Sequence, residues 1–142
     1  DYRMIVGCAE DVILEEGFFD TVFTSPPYFN VEKYTHDETQ SFKKFRKLDD
    51  WLELFLFKAL DNAWKSLKVG GHMIINISDV YSNHRINQLC DPMCEYMTTK
   101  KDAEFLGTIG LRMNKRPNSK SEGIEGVFAE PMFIWQKQDN HS

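Results

Sequence analysis

At 142 residues and a net charge of −5, the chain is one domain's worth, long enough to bury a core without disulfide or metal staples. No apolar run approaches the roughly 20 residues of a membrane-crossing helix, and the acidic balance excludes a broadly basic nucleic-acid coat. Three cysteines, Cys8, Cys90 and Cys94, have no partner His or Cys at metal-ligand spacing and read as reduced core thiols, so no metal and a cytoplasmic location, away from any membrane, are expected.

In chain order, Arg3 to Gly7 (RMIVG) is a short apolar strand, and Glu10 to Gly17 a helical turn that Gly17 stops. Thr21 to Thr24 (TVFT) is a second strand, ended at Ser25 because the two prolines that follow cannot continue a ladder. Asn30 to Leu48 lacks either period and is a long loop of the kind that serves binding. Asp49 or Asp50 caps an amphipathic helix whose stripe is Leu52, Phe55, Leu56, Ala59, Leu60, Ala63, Trp64 and Leu67.

That helix closes at Lys68-Val69-Gly70-Gly71. His72 to Ser78 (HMIINIS) follows, apolar enough for a strand covered on both faces. Ser82 or Asn83 caps a further helix through Ile86, Leu89, Cys90, Met93 and Met97, kinked by Pro92. Glu104 to Met113 and Val127 to Lys137 are two long strands joined by a loop, an antiparallel pair at one edge. The fold class is therefore α/β, a mostly parallel sheet with an antiparallel edge pair.

In an open parallel sheet, ligands collect beyond the carboxyl ends of the strands. The Thr21–Thr24 strand delivers Ser25-Pro26-Pro27-Tyr28 there. Two prolines hold the backbone extended and remove two N–H donors, leaving a ledge of acceptors with an aromatic ring behind it. Such a ledge suits a planar ligand bearing an amino group, the amine donating to oxygen while the ring stacks on Tyr28. The basic cluster Lys43, Lys44, Arg46 and Lys47, and the group Lys115, Arg116 and Lys120, are either phosphate contacts or solvated surface. Asp79 follows the buried strand, at a carboxyl end where site residues gather, whereas nothing pairs with His36 or His72.

The string Thr24 to Tyr34 (TSPPYFNVEKY), the Lys68-x-Gly70-Gly71 turn and the later Glu130-Pro131 with Phe133-Ile134-Trp135 and Lys137 resemble the S-adenosylmethionine-dependent DNA amino-methyltransferases of phage and bacteria. The resemblance spans nearly the whole chain. It implies a partial Rossmann-like methyltransferase fold lacking its first strands, DNA as partner, and S-adenosyl-L-methionine as cofactor. It further implies methyl transfer to cytosine N4 or adenine N6 of a base flipped out of the duplex; serine at the head of the motif leans toward cytosine. Ser25, Pro26, Pro27 and Tyr28 are the implied catalytic group; Phe29, Asn30, Glu32 and Tyr34 the implied substrate contacts; Cys8, Ala9, Glu10, Asp11 and Thr24 the implied cofactor contacts.

The family's glycine-rich turn for the methionine end of the cofactor has no counterpart here, and Cys8 stands where an Asp is usual, with Glu10 or Asp11 able to replace it. The expectation is a single catalytic domain over 1–142, whose glycine-rich part belongs upstream. Its sheet is then closed either by Arg3–Gly7 moving against Thr21–Thr24 or by a second copy in a homodimer. The competing reading is a non-catalytic remnant or protomer that binds nucleic acid or a partner chain. RNA or protein-glutamine substrates are a weaker third, since glutamine-modifying relatives carry Asn where Ser25 stands.

Overall fold

The computed structural model describes residues 2–27, 47–82, 85–114 and 128–140. Its main sheet holds β1 (Phe19–Thr24), β2 (Leu67–Asn76), β5 (Ala103–Met113) and β6 (Phe128–Lys137) in the order β1-β2-β6-β5. β1 and β2 run parallel, and β6 lies antiparallel to both β2 and β5. The antiparallel edge pair is as the sequence predicts. The balance is not: with β6 set beside β2, antiparallel pairings outnumber the parallel one, because a strand returning directly needs no crossover helix.

The crossover from β1 to β2 includes one continuous helical stretch: α1 (Leu48–Asp50), a π-helical segment (Trp51–Leu56) and α2 (Phe57–Ser66). Its N-cap is Lys47, not Asp49 or Asp50. Those two carboxylates occupy the first turn instead, where the positive end of the helix dipole favours them. The π-helical segment buries Trp51, Leu52, Phe55 and Leu56, and α2 continues the stripe with Leu60 and Trp64. At the other end, the Lys137 ammonium donates to the carbonyls of Trp64 and Leu67, both at 3.0 Å, placing a positive charge at the negative end of the helix dipole.

β2 starts earlier than the hydrophobic run suggests. Leu67 pairs with Phe19, four residues then bulge out, and the ladder resumes at Thr21 with His72. The Lys68–Gly71 segment is thus a bulge inside a strand rather than the close of a helix. Gly70 takes φ +84 in it, and a Cβ at Gly71 would stand 2.9 Å from the carbonyl oxygens of Asp20 and Lys68.

The core lies on one face of the sheet. Met73, Ile75 and Ile77 are fully buried there with Trp135, Leu60, Leu89, Met93 and Met97. On the opposite face His72 and Ile74 are only half-buried, Phe23 is 58% exposed and Ile109 53% exposed. The expected burial on both faces is therefore not found among the described residues; the helices described pack on one side.

Three predicted elements differ. Arg3 to Gly7 forms no strand and lies exposed, with Met4 85% and Val6 102% accessible. Among the described residues β1 pairs only with β2, so the version of the sheet with Arg3–Gly7 against Thr21–Thr24 is not adopted. A short apolar run makes a strand only where a ladder accepts its N–H and C=O groups. The segment after it closes a single turn, with Asp11 and Val12 N–H donating to the Cys8 carbonyl, and Gly17 does adopt the left-handed φ of +58.

The helix expected from Ser82 or Asn83 begins only at Cys90, as α3 (Cys90–Thr98). Before it stands a small hairpin, β3 (Val80–Ser82) with β4 (Arg85–Asn87). Pro92 falls in the first turn of α3, where its missing N–H leaves no intrahelical bond unmade, so it does not kink the helix. The cap comes from a distance: one Asp79 carboxylate oxygen accepts from the Leu89 and Cys90 N–H groups at 2.8 and 3.0 Å. This gives Asp79 a structural employment at the carboxyl end of β2. Replacing Asp79 with alanine is expected to cost about 1 kcal/mol by loss of that cap, read as a lower urea midpoint with an unchanged denaturant slope.

Candidate functional site at the carboxyl end of the parallel pair

The last pairs of β1 with β2 join Phe23 to Ile74 and Thr24 to Ile75. Ser25 and Asn76 are the next residues on the two strands, so they leave the parallel pair side by side. Thr24 is half-buried, Ser25 exposed, Pro26 buried and Pro27 half-buried. The proline after the exposed serine is thus anchored in the fold. Tyr28, Phe29, Asn30, Glu32 and Tyr34 lie outside the described residues, as do Lys43, Lys44, Arg46, Lys115, Arg116 and Lys120.

Cys8, Ala9, Glu10 and Asp11 form the turn closed on the Cys8 carbonyl. The Asn62 amide of α2 donates to the carbonyls of Ala9 and Glu10, at 3.1 and 3.0 Å. One helical turn further on, the Lys65 and Ser66 carbonyls receive the N–H groups of Gly17 and Phe18, just before β1. The Cys8–Asp11 turn is therefore tied to α2 one helical turn before the level at which the chain enters β1, and Ser25 follows the carboxyl end of that strand. Ligand atoms of Cys8, Glu10 and Asp11 lie within 4.8 Å of one another, with Glu10 buried and Asp11 exposed. Two carboxylates and a thiol so placed can accept hydrogen bonds from hydroxyl or amine donors. A thiol and two carboxylates with one arm in solvent are not the closed four-ligand shell of a structural zinc site.

Elsewhere the polar groups serve the scaffold. Tyr96 donates to the Asp61 carboxylate at 2.6 Å, and Lys100 pairs with it at 2.5 Å. Burial, together with the hydrogen bond to Asp61, pushes the Tyr96 phenol well above its ordinary range. Burial, reinforced by the Asp79 carboxylate, raises the Cys90 thiol to about 12, and burial also raises Cys94. Neutral thiols of this kind are poor nucleophiles. An open groove of about 360 Å³ lies between the π-helical segment and α3, rimmed by Asp49, Glu53 and Glu95. Its floor includes Phe57 stacked on Tyr96 at 4.1 Å. Three carboxylates at one rim repel a polyanion.

The residue missed by reading the sequence is Asn76. It looks like one polar interruption in an apolar strand, yet it is 6% exposed and its side-chain oxygen has no hydrogen-bond partner. The signal that points to it is its place at the end of β2, which only the register supplies.

Comparison with known proteins agrees with this architecture. A family model described as DNA methylase matches residues 19–142. The Type II methyltransferase M.SfiI of Streptomyces fimbriatus is 34% identical over 88 residues, covering 61% of this chain and 20% of that protein. TTHA0409 of Thermus thermophilus, assigned as a DNA modification methylase, superposes with a TM-score of 0.63 at 20% identity, over 96% of this chain and 54% of its own. The same protein complexed with S-adenosyl-L-methionine gives 0.64 at 19% identity, over 96% and 56%. This chain thus spans a fifth of the one relative and about half of the other, and shares the latter's Rossmann-like fold. With the family model matching almost everything from β1 onward, the chain belongs to the DNA methylase family.

Proposed function

We propose that the chain supplies the target-amine side of a methyltransferase acting on an exocyclic amine of DNA, cytosine N4 or adenine N6. The observation that carries this reading is the setting of Ser25 and Pro26: an exposed hydroxyl and a buried proline just past the carboxyl end of β1, beside β2. The amine of such a base is conjugated with its ring, so its lone pair is weakly available. Hydrogen bonds from its two N–H groups to the Ser25 hydroxyl oxygen and the Pro26 carbonyl draw the nitrogen toward tetrahedral geometry. They also turn its lone pair outward from the ledge. The positive charge that develops on nitrogen is then met by fixed dipoles, and no strong base is needed.

S-adenosyl-L-methionine, when bound, supplies the electrophilic sulfonium methyl. The fit of the described residues to it is partial. Glu10, Asp11 and Cys8 offer acceptors suited to a nucleoside's hydroxyls and amine, but no glycine-rich turn for the amino-acid end occurs in the sequence. These residues and Thr24 alone do not make a complete cofactor pocket. The outer edge of β1, with Phe19 and Phe23 exposed, is where a second copy would extend the sheet.

Tyr28 is the residue on which the flipped base stacks in this reading. Tyr28→Ala is expected to weaken binding of DNA carrying an unpaired target base by roughly 1–3 kcal/mol, about 5- to 150-fold. Binding to fully paired DNA should change little. The decisive assay is transfer of a labelled methyl group from S-adenosyl-L-methionine to DNA. Transfer that is unaffected by Tyr28→Ala and Ser25→Ala alike removes the motif from the chemistry. Binding of DNA without transfer by the unaltered protein supports the non-catalytic alternative.

A further inference from the structure

We propose that Asn76 is a positioning residue that orients the Ser25 hydroxyl, an assignment that rests on the role given to Ser25 above. The Asn76 side-chain oxygen is buried without a partner. Leaving a buried acceptor unpaired is costly, and such an atom in a folded protein calls for a reason. The other side-chain atom in this condition among the described residues, the Trp135 indole N–H, belongs to the core on the opposite face, where Trp135 pairs with Met73. Asn76 is placed differently. It stands one step beyond the Thr24–Ile75 pair, as does Ser25, and alternation along the two parallel strands puts both side chains on the face of Phe23 and Ile74. Neighbouring side chains at one register level of a sheet are within reach of each other.

The chemistry of the serine makes the acceptor useful. When the Ser25 oxygen accepts an N–H from the target amine, its own hydroxyl hydrogen must point elsewhere. If that hydrogen points at the amine, the lone pairs are turned away and the ledge loses one of its two acceptors. A carboxamide oxygen beside it takes the hydroxyl hydrogen and fixes the lone pairs on the ligand side. The acceptor, which makes no hydrogen bond in this structure, is then satisfied when the Ser25 side chain rotates to bring its hydroxyl within reach, with the amine seated on the other side of the serine oxygen. Stability given up in the resting protein is recovered at the moment of binding, the exchange expected where a fold trades stability for function.

The test is a double-mutant cycle on methyl transfer with the full chain, DNA and S-adenosyl-L-methionine. Asn76→Leu removes the buried acceptor at nearly constant volume. Its melting temperature should equal or exceed that of the unaltered protein, while kcat falls about tenfold with KM for DNA unchanged. In a Ser25→Ala background, adding Asn76→Leu should cost nothing more. Asn76→Ala removes the same acceptor without the added branch, and the same readings apply to it if the leucine variant does not fold. Unchanged kcat in the Asn76 variants, while Ser25→Ala is impaired, overturns the inference and leaves the role of Ser25 standing. Additive losses overturn it too, because Asn76 then acts independently of the serine. Undiminished transfer by Ser25→Ala overturns both.

Discussion

Ser25→Ala is expected to lower kcat for methyl transfer by on the order of 10²-fold, the scale found when one oriented dipole is removed from a developing charge. Ser25 is exposed at the end of β1 and followed by the buried Pro26, so the substitution deletes one oxygen from a rigid setting and disturbs little else. The loss should fall on turnover. The hydroxyl interacts most strongly with the amine as positive charge grows on nitrogen, so its removal raises the transition state more than the bound state. Affinity for S-adenosyl-L-methionine, measured by calorimetry, should stay within a few-fold of the unaltered protein. A variant with reduced cofactor affinity and intact turnover would place Ser25 on the cofactor side instead.

Trp51→Ala is expected to cost about 3–5 kcal/mol of folding stability, the range for truncating a large buried aromatic. Trp51 has no exposed surface and lies tilted on Phe55, with ring centroids 5.3 Å apart. It opens the π-helical segment and stands at the start of the core that α2 and β2 continue. A loss of this size is a large share of the roughly 5–15 kcal/mol that usually holds a domain together. The melting temperature should drop by roughly 10 °C. A chemical-denaturation shift worth under about 1 kcal/mol would show that the Trp51 site collapses around the deletion.

The hydrophobic periodicity of Leu52 to Leu67 predicts the helix and most of its buried stripe, yet omits Trp51. A π-helical segment changes the angular step between residues, and with it the side chains that meet the sheet. The strand into Ser25 and the two long final strands are equally plain in the sequence, because each depends on a local apolar run, and the first is ended by prolines that cannot continue its ladder. The strand expected at Arg3 to Gly7 fails for a reason no local pattern carries: strand formation needs pairing with a partner edge, and among the described residues this segment pairs with none. The cap of α3 illustrates the same limit. Ser82 and Asn83 have the right side chains, but the cap is the Asp79 carboxylate, ten residues before the Leu89 N–H it accepts from.

By itself, then, the sequence determined the Ser25-Pro26-Pro27-Tyr28 motif, the family it resembles, and the order of most helices and strands. These are written in proline chemistry, side-chain type and period, all of which act over a few residues. The tertiary structure decided what depends on pairing and burial across the chain. It set β6 beside β2, bulged Lys68–Gly71 inside a strand, and tied the Cys8–Asp11 turn to Asn62. It also placed Asn76 one step past the last pair, beside Ser25. Register between distant strands is fixed by the free energy of the whole sheet and core, and no window of neighbouring residues contains it.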